Sequence, residues 1–325
     1  MPAFWRKFDD PRGIIWRVRN AILRFSPRRT ARFLAGYLQP LHYERPVFIL
    51  GVPRSGTTFL FHLLRESREL AGLPREGHDA WRAFHHPRSS GWRSDAVGSG
   101  EIRTGERRFI NAYFYSYLGQ RRFVEKTPEN CLRVPYLLDL FPDAHFIVVK
   151  RNPCDVINSL INGWRHPEGR YRSYFVPVDL RIPGYPHRRQ WCFALIGGWR
   201  ELTAAPIPRI AFAQWKQCSE GWQAARPLVS PARWTEIYFE DLLSAPEETL
   251  SRICERIGIE MDRALEAKLA DLLVNPVNAL SPPGADKWRR EHREEVTRLL
   301  PEIAAASRSS GYRIDPDTGE YEICR

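Results

Sequence analysis

The sequence predicts an α/β fold of three layers, a mainly parallel sheet with helices on both faces. Two patterns point there. The short apolar run Val47–Val52 and the segment Ala144–Lys150, apolar from Phe146 to Val149, lack the alternation of a half-exposed strand, so they read as strands covered on both sides. Each gives way to a stretch of helical spacing, and this strand–helix alternation runs through residues 47–160.

At 325 residues the chain can bury one large core or two modest ones, and 43% hydrophobic with 27% charged is a globular composition. No run of 18 apolar residues is present to cross a membrane, and Met1–Asp10 lacks the apolar core of a secretory signal. Cys131, Cys154, Cys192, Cys218, Cys254 and Cys324 show no metal-type pairing. A cytoplasmic protein with reduced thiols and no metal is expected. The net charge of +11 is uneven, because residues 1–45 hold ten Lys/Arg against three Asp/Glu. In this basic arm Ile14, Val18, Ile22 and Phe25 share one helical face, with Arg17, Arg24 and Arg28 elsewhere on the turn. Such a helix either packs on the core with its basic face in water, or brings the protein peripherally to an anionic membrane. Nucleic acid is not an expected partner, since no recognition motif accompanies the charge.

From Pro46 to Glu66 come a buried strand, a turn with Gly51 and Gly56, and a helix starting at Thr57, with Phe59, Leu60, Leu63 and Leu64 at helical spacing. That order builds a P-loop-like anion cradle. The first N–H groups of a helix lack partners in the chain, and its dipole is positive there. The hydroxyls of Ser55, Thr57 and Thr58 add donors. Gly51, four residues and Gly56 have Walker A spacing, but the lysine a triphosphatase needs next is Thr57. The cation sits inside the loop instead, as Arg54. The site suits a nucleotide's 5′ anion and is poorly built for γ-phosphate transfer.

Residues 53–58, Pro-Arg-Ser-Gly-Thr-Thr, match the loop that binds the 5′-phosphosulfate in sulfotransferases using 3′-phosphoadenosine 5′-phosphosulfate (PAPS), and the chain resembles that family over roughly residues 46–312. The resemblance implies a sulfotransferase domain over 46–325. It also implies PAPS as co-substrate, released as 3′-phosphoadenosine 5′-phosphate (PAP), and in-line transfer to a hydroxyl or amine. Arg54, Ser55, Gly56, Thr57 and Thr58 would bind the donor.

Further along, Leu73–Trp81 carries prolines and glycines that end regular structure, and sets Glu76 and His78 two residues apart. Residues 82–105 read as a long loop over the acceptor site, and 106–119 as a helix whose Phe109, Tyr113, Phe114 and Tyr117 form an aromatic stripe, more often a core face than a ligand wall. Arg122–Thr127 is a short strand that delivers Lys126 to its carboxyl end, where ligands of open parallel sheets sit. Residues 130–140 read as helical. The strand 144–150 leads to Arg151, to a helix favoured by Pro153 near its start, and to Ser159 two turns in. In the family an arginine and a serine at this spacing clamp the donor's 3′-phosphate, the guanidinium bidentately.

Residues 162–186, rich in Pro, Gly and Arg, read as a second loop over the acceptor. Residues 187–226, with Trp191, Trp199, Trp215 and Trp222, read as helical. Thr235–Phe239 is a third strand. With Glu240-Asp241-Leu242 it resembles the family's Tyr-Glu-Asp-Leu segment near the adenine, Phe239 standing where the tyrosine would be and Tyr238 one residue earlier. Neighbouring strand residues face opposite ways, so Phe239 is expected against the base and Tyr238 pointing away. Helices are expected over 246–258, 261–273 and about 291–309, the last closed by Gly311-Tyr312. Lys287, Trp288 and Arg289 resemble the family's basic, aromatic loop over the donor phosphates.

Transfer needs cations where charge develops on the leaving oxygen, a role given to Arg54 and Lys126, and a general base for the acceptor. Cytosolic phenol and steroid sulfotransferases carry a histidine two residues after the counterpart of Lys126, which here is Pro128. Protein-tyrosine sulfotransferases use a glutamate shortly after the loop helix, and Glu76 falls near that place. The chain therefore resembles the bacterial and protein-tyrosine branch more than the cytosolic one. Glu76 is the expected base, with His78 as the alternative. The acceptor is left open among small-molecule, sugar, lipid and peptide hydroxyls. Two other functions fit part of the pattern, a kinase or NTPase without the Walker lysine and a non-catalytic anion- or membrane-binding protein. The joint presence of Arg54, Lys126, Arg151 and Ser159 argues against both.

Overall fold

The computed structural model describes residues 26–39, 41–275, 277 and 284–325. The helical face proposed for Ile14, Val18, Ile22 and Phe25 lies outside them. The first half of the chain forms α1 (Pro27–Leu38), β1 (Val47–Leu50), α2 (Thr57–Leu64), β2 (Ala71–Gly72), α3 (His78–His85), α4 (Glu106–Leu118), β3 (Phe123–Glu125), α5 (Val134–Leu140), β4 (His145–Lys150) and α6 (Pro153–Trp164). The second half forms β5 (Arg172–Phe175), β6 (Gln190–Cys192), α7 (Ile207–Ala225), β7 (Trp234–Tyr238), α8 (Phe239–Ser244), α9 (Pro246–Ile257), α10 (Arg263–Val274), α11 (Trp288–Glu291), α12 (Arg293–Thr297), α13 (Leu300–Ser307), β8 (Tyr312–Ile314) and β9 (Tyr321–Ile323).

The central sheet has the order β2-β3-β1-β4-β7, with every pair parallel. All residues of β1 and β4 are buried. Phe48 joins an aromatic layer with Trp81, Phe114, Phe123 and Phe146, while its neighbour Ile49 faces the opposite layer with Leu60, Ile147 and Leu250. This is the three-layer α/β architecture expected from continuous apolar strands. Parallel pairing puts the carboxyl ends of β1, β3, β4 and β7 on one edge, and their loops meet there.

Helix α1, the described helix of the basic arm, lies against α4. Phe33 packs edge-on to Phe109 with centroids 5.5 Å apart, and Arg29 and Arg32 sit over Tyr117 and Tyr115. Among the described residues no helix is long and apolar enough to cross a membrane.

Several expected elements differ. Residues 82–105 are not all loop, since α3 runs to His85. The supposed loop 162–186 and the start of the supposed helix 187–226 pair as the antiparallel hairpin β5–β6. Helix α7 begins only at Ile207, after Pro206, with Pro208 in its first turn, where a missing N–H costs nothing. Phe239 opens α8 rather than ending β7. The last helix is broken where His292 leaves helical geometry (φ −139°), and a new start at Leu300 is aided by Pro301 in its first turn. The β8–β9 hairpin after it was not expected.

Candidate active site

The cradle forms where β1 turns into α2. Gly56 caps α2 at φ 101°, and a Cβ there would stand 2.3 Å from the Phe239 ring. A Cβ on Gly51 would stand 2.6 Å from Ser55 Oγ and 2.8 Å from the Val149 carbonyl. Arg54 holds φ 79°, a conformation that non-glycine residues adopt only under constraint. Ser55 is buried and its Oγ has no hydrogen-bond partner among the described residues. An orphaned hydroxyl beside a helix N-terminus fits an anion acceptor.

The second half-site follows β4. Asn152 caps α6 by accepting from the Cys154 amide at 2.9 Å, which fixes Arg151 just before the helix and Ser159 on its cavity side. Arg151 Nη1 donates to the Arg54 carbonyl at 3.2 Å, and its guanidinium lies 5.1 Å from the Phe239 ring centre. Arg54 Nε in turn donates to Ser159 Oγ at 3.2 Å. Asp155 accepts from the amides of Asp286 at 2.9 Å and Trp288 at 3.3 Å, drawing the C-terminal loop inward so that Lys287 lines the cavity.

Trp288 and Arg289, expected at the donor site, do not reach it, and Tyr238 turns away as strand alternation predicts. Trp288 is turned into the core. Arg289 points outward and donates to the Thr318 carbonyl at 2.8 Å. The Tyr238 hydroxyl donates to the Cys324 carbonyl at 2.9 Å, on the far side from the cavity, whereas Phe239 lines it.

At the end of β3, Lys126 is buried, and its Nζ donates to Thr58 Oγ1 at 3.0 Å and pairs with Glu76 Oε1. Glu76 is held there because the next amide, of Gly77, donates to Glu125 Oε1 at 3.2 Å and Thr127 Oγ1 at 2.8 Å. Glu76 Oε2 lies 2.9 Å from His78 Nε2. Burial opposes ionisation of Glu76, but hydrogen bonds from His78 and Lys126 outweigh it and hold its carboxyl at about 2. Burial also disfavours the His78 cation, and the carboxylates of Glu129 and Glu76 raise it above the ordinary histidine range.

One cavity of about 440 Å³ is lined by Arg54, Glu76, His78, Arg151, Ser159 and Lys287, while Lys126 and Ser55 are buried behind its wall. Arg170, Tyr171 and Ser173 wall it on the β5 side, with Phe193 stacked on Tyr171. Burial depresses both Arg54 and Lys287, and Arg151 adds like-charge repulsion to each. An anion would relieve that crowding. Sequence reasoning missed Glu129, Arg82 and Asp155, none of which belongs to a motif, whereas the Arg170–Ser173 wall falls in the 162–186 segment expected over the acceptor. Among the described residues no cluster of three or more His, Cys, Asp or Glu is placed to hold a metal ion.

A parallel sheet whose strand ends gather guanidinium groups and a helix N-terminus around one cavity, joined there by Lys287 of the C-terminal loop, makes an α/β fold with a P-loop-like cradle. Residues 46–182 and 185–263 match the Sulfotransferase family, and the chain belongs to it. The chain is 32% identical over 133 residues to the nodulation protein NoeE of Sinorhizobium fredii, a stretch covering 37% of this chain and 32% of NoeE, so it spans about a third of that relative. It is 23% identical over 309 residues to a putative protein-tyrosine sulfotransferase of Caenorhabditis briggsae, covering 87% of this chain and 94% of the relative. The crystal structure of sulfotransferase STF9 from Mycobacterium avium superposes with a TM-score of 0.55 at 18% identity, covering 89% of this chain and 80% of that one, and shares the fold.

Proposed function

We propose that the protein transfers a sulfuryl group from PAPS to a hydroxyl or amine acceptor, with residues 46–325 as the catalytic domain. The observation that carries this is the convergence of Arg54, Arg151, Ser159 and Lys287, from three separate segments, on the cavity below the N-terminus of α2. Gly56, Thr57 and Thr58, with Ser55 beneath, would take the 5′ anion. Arg151, Ser159 and Lys287 would take the 3′-phosphate, and Phe239 offers its ring to the adenine. When bound, PAPS supplies a sulfuryl group on a phosphate leaving group. Lys126, Arg54 and the first amides of α2 stabilise negative charge at that end of the cavity. Glu76 orients the acceptor and takes its proton.

The acceptor class is read from the walls. Tyr171 and Phe193 stack at 5.1 Å, with Arg170 beside them, an amphipathic lining suited to a hydroxyl on a small molecule, sugar, lipid or peptide. The putative protein-tyrosine activity of one relative puts peptide tyrosines in that range. Leu34 and Leu38 of α1 are 57% and 84% exposed within the basic arm, which supports peripheral contact with anionic membranes through residues 1–45. The test is label transfer from radiolabelled PAPS to a panel of phenol, sugar, tyrosyl-peptide and lipid acceptors, with and without anionic vesicles. Labelled product supports the reading. No product with any acceptor, together with no PAP binding, contradicts it.

A further inference from the structure

Glu129 has no role in the scheme above, yet it stands against its centre. It lies on the 3-10 turn Pro128–Leu132, directly after the strand end that carries Lys126, and is 3% exposed. Its Oε2 lies 3.6 Å from His78 Nδ1, and Glu76 Oε2 lies 2.9 Å from His78 Nε2. Both ring nitrogens thus face carboxylates. A neutral imidazole has one N–H and serves one of them, whereas the imidazolium serves both. The cations facing this group are Arg82, which donates to Glu129 Oε1 at 3.1 Å, and Lys126, on the far oxygen of Glu76. Arg133 also favours ionised Glu129, and it pairs at 3.4 Å with Asp95, a buried carboxyl that the Glu129 charge pushes upward. Arg82 is itself fixed over the Tyr174 ring at 4.3 Å. Glu129 therefore stays anionic in a buried place, where its pull on His78 is little screened.

We propose that Glu129 is a positioning residue that makes His78 the resting place of the proton Glu76 removes from the acceptor. This rests on the sulfotransferase reading. At the start His78 is neutral, with its Nδ1 proton toward Glu129. The acceptor O–H bond breaks, and its electron pair forms the new O–S bond. The bridging O–S bond of the donor breaks, and its pair leaves on the phosphate of PAP. The acceptor proton passes to Glu76 and on to His78 Nε2, giving an imidazolium between two carboxylates. Glu76 alone is a poor store for that proton, because Lys126 and, once Nε2 carries the proton, His78 favour its ionised form. The relay gives both sequence candidates a part, Glu76 receiving the proton and His78 keeping it.

The proposal is tested on the full chain by two readouts. In Glu129→Gln the acid limb of the kcat–pH profile at saturating PAPS should move about one unit lower, as loss of an opposite charge requires. The kcat plateau should fall about tenfold or more while PAP affinity holds. Independently, 15N NMR of the wild-type protein, with His78 assigned through His78→Asn, should show His78 titrating above the ordinary value of about 6.5. An unmoved acid limb in Glu129→Gln would overturn the proposal. So would a wild-type His78 titrating at or below the ordinary value, which decides the matter even if Glu129→Gln does not fold. His78 titrating high in a protein that transfers no sulfuryl group would leave the electrostatics standing and sink the sulfotransferase reading instead.

Discussion

The guanidinium of Arg54 donates a hydrogen bond to the Ser159 hydroxyl at 3.2 Å, tying the loop after β1 to the helix after β4. The two half-sites are thus joined before any ligand arrives. Removing the hydroxyl should weaken donor binding without emptying the cradle. Ser159→Ala is expected to raise the Kd for PAP about tenfold, the scale of one hydrogen bond to a charged group. Titration calorimetry of the two proteins checks it.

Glu76→Gln tests the base. The amide cannot take the acceptor proton, so kcat should fall at least about 100-fold. PAP should bind as well as before or better, because Lys126 keeps its contact with Thr58 and loses a competing carboxylate. Steady-state kinetics beside calorimetry separate the two effects, and near-normal turnover would shift the role to His78.

Gly56→Ala should damage the cradle twice. It places a Cβ at φ 101° and 2.3 Å from the Phe239 ring, which has Arg151 over it. The strain costs about 1–3 kcal/mol. A lowered Tm together with lost PAP binding is the expected outcome in thermal melts with and without PAP.

Acid should destabilise the fold through His145. This residue is fully buried in β4, bonded to Thr235 at 2.8 Å. Burial, followed by Arg256 and Arg122, depresses its folded value to about 4. The unfolded chain takes up the proton near 6.5, so stability is lost as pH falls from there toward 4. The full span corresponds to about 3 kcal/mol. Denaturant melts at pH 7 and pH 4.5 should show this loss in the wild type and a smaller one in His145→Asn.

Much of the fold was legible because its signals are local. Val47–Leu50 and Phe146–Val149 are unbroken apolar runs, and the glycines and hydroxyls of residues 51–58 sit close together in the chain. Hairpin β5–β6 was hidden because Arg172–Phe175 is short, mixed in polarity and set among prolines and glycines, so its pairing with Gln190–Cys192 leaves no periodicity. In the adenine segment the directions of Phe239 and Tyr238 are as expected and only the element that carries Phe239 differs. Phe239 reaches the cavity by opening a helix rather than by strand alternation, and Tyr238 turns to Lys150 and Cys324. Trp288 and Arg289 shared a motif with Lys287, but Asp155 holds the loop by its backbone and so turns only one of the three inward. Glu129 and Arg82 could not be found from spacing, since they meet His78 through tertiary packing alone.

The central claim is that two strand ends hold opposite ends of one adenosine bis-anion. Titration calorimetry of PAP into the wild-type protein and Arg151→Met tests it most directly. The account predicts one-site binding to the wild type and a Kd weakened about 100-fold in the variant, as loss of a charged bidentate contact implies. No heat with the wild type, or equal affinity in the two proteins, would contradict it.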